Sequence, residues 1–236
     1  LAKRPVRDVD LVYPCGASPI VAGFNDFNLP ANDDGSTDLV SIGFELDFFG
    51  QRFDSLYVNN NGNVTFDAAL GTYTPFELVN TSRQIIAPHF SDVDTRAAGD
   101  VVTYGRGTFA DRPTFGVNWI NVDYYSSSPT HTNRNSYQLL LVDRFEIASA
   151  SFDIIFNYTQ IQWEAGTASG SDSEGLGGTA ARAGYSNGTG LPGTSYELLG
   201  SGINGAFLDG GVNSLSANKA NSPCTGRYVY YGSQRQ

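Results

Sequence analysis

In VSIGFELDF, apolar Val40, Ile42, Phe44, Leu46 and Phe48 alternate with Ser41, Gly43, Glu45 and Asp47. A strand with one wet face satisfies that period of two and a helix does not. The pattern returns in Phe152, Ile154, Phe156 and Tyr158, while Leu139-Leu140-Leu141-Val142 reads as a central strand covered on both faces. Phe115, Val117 and Trp119 hold one parity and Ile120, Val122 and Tyr124 the other, so this strand either is buried on both faces or carries a bulge near Trp119, the bulge being the favoured reading. Asn59-Asn60-Asn61-Gly62-Asn63 separates Leu56-Tyr57-Val58 from Val64-Thr65-Phe66, and Asn-Gly is the pair best suited to the positive φ of a tight hairpin. Gly, Pro or β-branched runs interrupt every helical spacing, leaving at most a short helix or turn around Asp67 to Leu70. These patterns predict an all-β fold, an antiparallel β-sandwich or strongly twisted sheet pair, in a single domain with little helix.

At 236 residues, with Gly, Ser, Thr, Asn and aromatic residues spread evenly, no internal boundary stands out. Residues 1–38 differ, with Pro5, Pro14, Pro30 and the run Asn32-Asp33-Asp34-Gly35-Ser36, and read as an N-terminal extension or added edge element before a β domain of 39–236. Ser126 to Asn135 and Gly166 to Gly178 are the predicted flexible loops. The net charge of −10 argues against a nucleic-acid partner, whose binding needs Lys and Arg to displace counterions. No apolar run is long enough to span a bilayer as a helix. The start at Leu1 and the lack of Met fit a mature chain whose signal peptide has been removed.

Several motifs in order carry a resemblance: SLYVNNNGNVTF from Ser55, QIIAPHFSDVDTRAAGDVVTY from Gln84, TFGVNWINVDYY from Thr114, SYQLLLVD from Ser136, FDIIFNYTQIQWEAG from Phe152, ARAGYSNGTG from Ala181, FLDGGVNSL from Phe207 and GRYVYYG from Gly226. Together they make roughly Leu39 to Gly232 similar to a nidogen-type domain. That resemblance implies an extracellular, non-catalytic, adhesive or matrix-building role, with an extracellular protein or glycan, or a second copy of the chain, as partner. A variant is a filament subunit assembling through edge strands or the N-terminal arm. Given that setting, Cys15 and Cys224 are expected to pair, and closing so long a loop stabilises by about 4 to 5 kcal/mol in the chain-entropy model.

Asp92, Asp94 and Asp100 surround the turn SDVDTRAAGD and offer hard oxygen ligands of the kind Ca²⁺ takes. The EF-hand pattern is not met, because Arg96 and Ala97 occupy its fifth and sixth positions. The competing assignment has Asp92 and Asp94 capping backbone N–H groups, one of them paired with Arg96. A calcium-dependent carbohydrate-binding module, with Tyr73, Tyr124 and Tyr125 stacking on sugar rings, is a second class of function. A serine hydrolase is a third: Gly184-Tyr185-Ser186-Asn187-Gly188 fits GxSxG, yet His89 and His131 both precede Ser186, against the order that such a triad needs. No catalytic residue is therefore assigned. His89, beside Asp92 and Asp94, reads as a structural imidazole rather than a metal or acid/base group, and Asp153 and Glu164 read as surface carboxylates. Sequons fall at Asn63, Asn80, Asn157 and Asn187, of which Asn63 and Asn187 lie at predicted turns and Asn157 inside a strand pattern.

Overall fold

A computed structural model describes residues 13–128 and 130–232. Among these residues, twelve strands form two antiparallel six-stranded sheets. The first runs β1 (Phe27–Asn28), β6 (Thr103–Phe109), β7 (Arg112–Val122), β8 (Asn135–Asp143), β9 (Phe152–Ile161), β12 (Arg227–Tyr231). The second runs β11 (Ser195–Glu197), β10 (Arg182–Asn187), β5 (Gln84–Phe90), β4 (Asn63–Thr65), β3 (Gln51–Asn59), β2 (Val40–Phe48). A 3₁₀ turn at Thr167–Ser169 is the one helical element among the described residues, and Asp67 and Ala68 only bend the chain. The architecture is thus the expected all-β sandwich.

Alternation decides which side chains meet between the sheets. Leu46, Phe48, Leu56, Val58, Val64 and Ile86 of the second sheet face Phe115, Val117, Trp119, Leu139, Leu141, Ile154 and Phe156 of the first in one buried cluster. Phe48 crosses the interface to meet Phe152 edge-on at 6.2 Å, and each such buried apolar side chain contributes about 1.5–3 kcal/mol. In β7 the register shifts between Trp119 and Val122, with Asn121 at φ 54°. The bulge lets Trp119 and Val122 both reach the core despite their opposite parity.

Part of the outer face of each sheet is also covered. Leu140, Val142, Ile155 and Val229 point away from the sandwich core and are roofed by Tyr13 and Phe24 from the N-terminal segment. Ile85, Ala87 and Phe90 on the other side lie under Leu70 and Leu78 of the β4–β5 connection. Residues 13–38 are consequently woven into the domain, with β1 forming an edge of the first sheet; 1–12 lie outside the described residues. Buried Arg227 fastens this segment, donating to the carbonyls of Pro14 (2.8 Å) and Pro19 (2.6 Å) and to Asn157 Oδ1 (2.7 Å). Tyr13 donates to Asp153 Oδ2 at 2.6 Å, and the Arg144 guanidinium meets the same carboxylate. The Cys15–Cys224 disulfide closes the arrangement with Cα atoms 5.5 Å apart.

The β3–β4 hairpin forms at the asparagine run, with Asn59 opposite Asn63 and Gly62 at φ 73°. It is buried: Asn59, Asn60, Asn61 and Asn63 are all 0% exposed. A Cβ on Gly62 would stand 1.8 Å from the His89 carbonyl oxygen. His89 is itself fully buried, its Nδ1 against Ser91 Oγ at 2.9 Å and its ring against Tyr137 and Trp163. Burial lowers its pKa from 6.5 to about 3, so the imidazole is neutral.

Three outcomes follow from this construction. Gly62→Ala combines left-handed strain with a backbone collision and lowers stability by roughly 3–5 kcal/mol, read from the guanidinium unfolding midpoint. Replacing Cys15 and Cys224 together by Ser costs about 2–5 kcal/mol in the same assay. Because unfolding lets His89 take up a proton, the wild type loses stability as pH falls from 6.5 towards 3; the wild-type minus His89→Gln difference in unfolding free energy, measured across that window, shrinks correspondingly.

Candidate functional site

The asparagine turn organises one end of the sandwich, where it holds two acidic segments side by side. Asn60 Nδ2 donates to the carbonyls of Asp33 and Val93, each at 2.5 Å. Asn61 Nδ2 donates to Asp34 Oδ1 at 2.8 Å, and Asn61 Oδ1 accepts from Val93 N at 3.0 Å. Thr95 N donates to the Asn32 carbonyl, and Asn32 N to Thr95 Oγ1. The backbone after β5 is fixed in turn by a bridge between Val93 and Tyr124 and by Tyr125 N donating to the Asp92 carbonyl.

The result is a group of three carboxylates, Asp33, Asp34 and Asp92, with one oxygen from each lying within 4.8 Å of the others. Asp92 is 2% exposed. Its Oδ2 has no hydrogen-bond partner among the described residues, and neither have Asp33 Oδ1 and Asn60 Oδ1. Burial, followed by the neighbouring carboxylates, raises the pKa of Asp92 to about 7 and that of Asp33 to about 6. Arg96 at the rim opposes both shifts. Unliganded, the cluster loses stability as pH rises through those values, because the folded state then holds uncompensated charge.

The sequence-predicted trio of Asp92, Asp94 and Asp100 is not the group brought together. Asp94 is taken by Arg96, which donates from its main-chain N (2.9 Å), Nε (3.0 Å) and Nη2 (2.8 Å), the capping and pairing assignment weighed against calcium. Asp100 is exposed beside Asn121. Asp33 and Asp34 take their place from a segment about sixty residues upstream, whose only sequence signal is the acidic turn Asn-Asp-Asp-Gly.

Other candidate residues sit in structural settings. Ser186 is 2% exposed within β10 and accepts from Gly188 N. Asp153 and Glu164, read as surface carboxylates, are buried instead: Asp153 in the Arg144 and Tyr13 network, Glu164 accepting from Gly177 N and Gly205 N. Asn63 opens β4 and Asn187 closes β10, each bordering a turn with its own side chain folded inward. Asn63 donates to the Asn61 carbonyl, Asn187 to the Phe49 carbonyl, and Asn157 to Gln138. All three are 0% exposed, which leaves no room for a glycan on the folded domain; Asn80 is exposed. Tyr124 is 1% exposed, wedged against Trp163 and His131, so it offers no face to a sugar, whereas Tyr73 is 40% exposed.

Sequence reasoning did not single out a second feature, an open groove where the free edges of the two sheets converge. Tyr196 of β11 and Tyr230 of β12 meet at 5.4 Å between ring centroids. With Leu198, Leu199, Leu215 and Tyr228 they line a groove of about 210 Å³. Leu199 is 78% exposed at its mouth, and Ile203 and Val212 in the following loop are 56% and 85% exposed.

Residues 18–216 match the family model described as NIDO related. Alpha-tectorin of Mus musculus is 35% identical over 212 residues, covering 80% of this chain and 9% of its own length. Alpha-tectorin of Homo sapiens is 34% identical over 212 residues, with 80% and 9% covered. The nidogen of Drosophila melanogaster is 28% identical over 207 residues, with 76% and 14% covered. The chain therefore spans only a small part of the length of these relatives. No solved structure matches it. The family match begins at residue 18, inside the segment that roofs the first sheet, and runs through both sheets to the loop before β12: the chain belongs to the NIDO related family.

Proposed function

We propose that this domain is an extracellular, non-catalytic structural module that joins matrix or cell-surface assemblies by protein–protein contact. Family membership across most of the chain supports that class of role. The Cys15–Cys224 disulfide suits an oxidising compartment. The observation that carries the reading is the tyrosine-lined groove between β11 and β12. Where the outer faces carry the Leu140 and Ile85 clusters they are roofed by the chain itself, while along this seam Tyr196 and Leu199 stay exposed beside half-buried Tyr230. Tyrosine side chains around a shallow pocket are characteristic of a contact centre, because they bring large area with little entropy loss.

Contact by side chains is favoured over addition of strands. The edge strands β1 and β11 hold only two and three residues. Along β2, Arg106 reaches over Gly43 to donate to the Ser41 carbonyl from Nε and Nη2, and Gly43 itself lies at φ 98°. Short, kinked and capped edges resist pairing with a neighbour. The N-terminal segment from residue 13 is committed to its own domain through Arg227 and the disulfide, which weighs against assembly by a free arm.

The test is surface plasmon resonance of the purified domain against a decellularised matrix extract and against itself, with Leu199→Asp as the variant. Wild type is expected to bind the extract saturably and the variant to lose at least about tenfold in affinity, as removal of a central apolar anchor does, with an unchanged melting temperature. Undiminished binding by the variant would place the contact elsewhere. Absence of saturable binding by the wild type would remove the adhesive reading.

A further inference from the structure

We infer that Asp33, Asp34 and Asp92 form a Ca²⁺ site with the Asn60 side-chain oxygen, seated between the N-terminal segment and the turn after β5. The inference is independent of the groove and of any protein partner. Asp92 is 2% exposed, its Oδ2 has no hydrogen-bond partner among the described residues, and two further carboxylates face it. Buried carboxylates ordinarily hold several N–H donors or an ion pair, since an uncompensated buried charge is among the costliest features a fold can carry. Arg96 does not resolve this, because its guanidinium is spent on Asp94 and on Asp33 Oδ2 (2.9 Å) at the rim.

Geometry agrees with a shared cation. Ca²⁺ holds oxygens at about 2.3–2.6 Å, so two ligands of one ion stand at most about 5 Å apart, and the three carboxylate oxygens lie within 4.8 Å of one another. The cluster is also held in place from outside. Asp34 Oδ1 is anchored by Asn61 Nδ2, and Asp33 Oδ2 by Arg96, which leaves Asp33 Oδ1 buried without a partner. Anchoring one oxygen of a carboxylate from behind while the other stays free is how outer hydrogen bonds orient metal ligands.

Asn60 supplies the second, separate observation. It is 0% exposed and lies at the seam, its Nδ2 donating to the main-chain carbonyls of Asp33 and Val93 while its Oδ1 accepts nothing. An unpaired amide oxygen in a dry interior is costly unless something binds it. Gly166 packs directly against the same carboxylate, where a Cβ would stand 2.1 Å from Asp92 Oδ2. An all-oxygen set of carboxylates and an amide, collected from three separate stretches of chain, suits the loose coordination of Ca²⁺ better than the strict octahedron of Mg²⁺.

The experiment uses the whole domain, stripped with a chelator and titrated with CaCl₂ by calorimetry and by thermal melting. Variants are Asp92→Asn, the exposed Asp34→Asn, and Asp100→Asn as the control. The expected result is saturable binding of Ca²⁺ with a dissociation constant at or below about 1 mM. The melting temperature should rise by about 3–6 °C at tenfold excess over that constant. Asp92→Asn and Asp34→Asn each weaken binding at least about tenfold, and Asp100→Asn does not. Asp34→Asn, altering an exposed side chain, gives the answer even where Asp92→Asn fails to fold. No calcium heat, an equal response to Mg²⁺ or to matched KCl, or unchanged binding in Asp34→Asn would each overturn the site.

Discussion

One end of this domain is built around four buried asparagines. A polar turn inside a protein is tolerable only if its amides find partners, and here all the side-chain amide groups except Asn60 Oδ1 find them in neighbouring segments. Asn59 bonds Asn63, Thr65, Ser36 and the Leu70 backbone. Asn60 accepts the Trp119 indole N–H at its carbonyl and ties Asp33 to Val93. Asn61 secures Val93 and Asp34. The hairpin thereby connects the second sheet to the first, to the N-terminal segment and to the turn after β5. Gly62 makes it possible, since the chain passes against the His89 carbonyl where no side chain fits.

The same logic governs the outer surfaces. Each sheet is apolar on part of its outer face, so two packed sheets alone would leave Leu140, Val142 and Ile155 on one side and Ile85, Ala87 and Phe90 on the other in water. Irregular segments cover them, and irregular backbone brings polar groups that need partners. Arg227 answers part of that need: a buried guanidinium satisfied by carbonyl oxygens of the N-terminal segment and by Asn157, stacked 5.1 Å from the Phe109 ring centroid. The disulfide fixes the two ends of the fold at the same place. A module closed in this way leaves few surfaces for a partner, which is why the open tyrosine groove and the carboxylate cluster stand out.

Strands, sheet class and the β7 bulge were legible in the sequence because a period of two, and a change in its parity, are local properties of the chain. The asparagine hairpin was legible for the same reason. Other two-residue turns were less so: Ala110 and Asp111 both take positive φ between β6 and β7 without any Asn-Gly pair, held there by the pairing of the strands they join. Exposure was the least legible property. Asn63, Asn187, Asp153 and Glu164 are polar residues of a surface type that long-range hydrogen bonding draws inside.

By itself the sequence determined an all-β chain, its strand pattern and its kinship with nidogen-type domains, since alternation, turn residues and ordered motifs are written residue by residue. Only the tertiary structure decided that Asp92 stands with Asp33 and Asp34 rather than with Asp94 and Asp100. Sequence neighbours in an extended turn point different ways, and Arg96 captures Asp94 locally. The partners of Asp92 come from a segment that reaches it only once the asparagine turn has folded between them, and proximity of that kind depends on the whole sandwich closing.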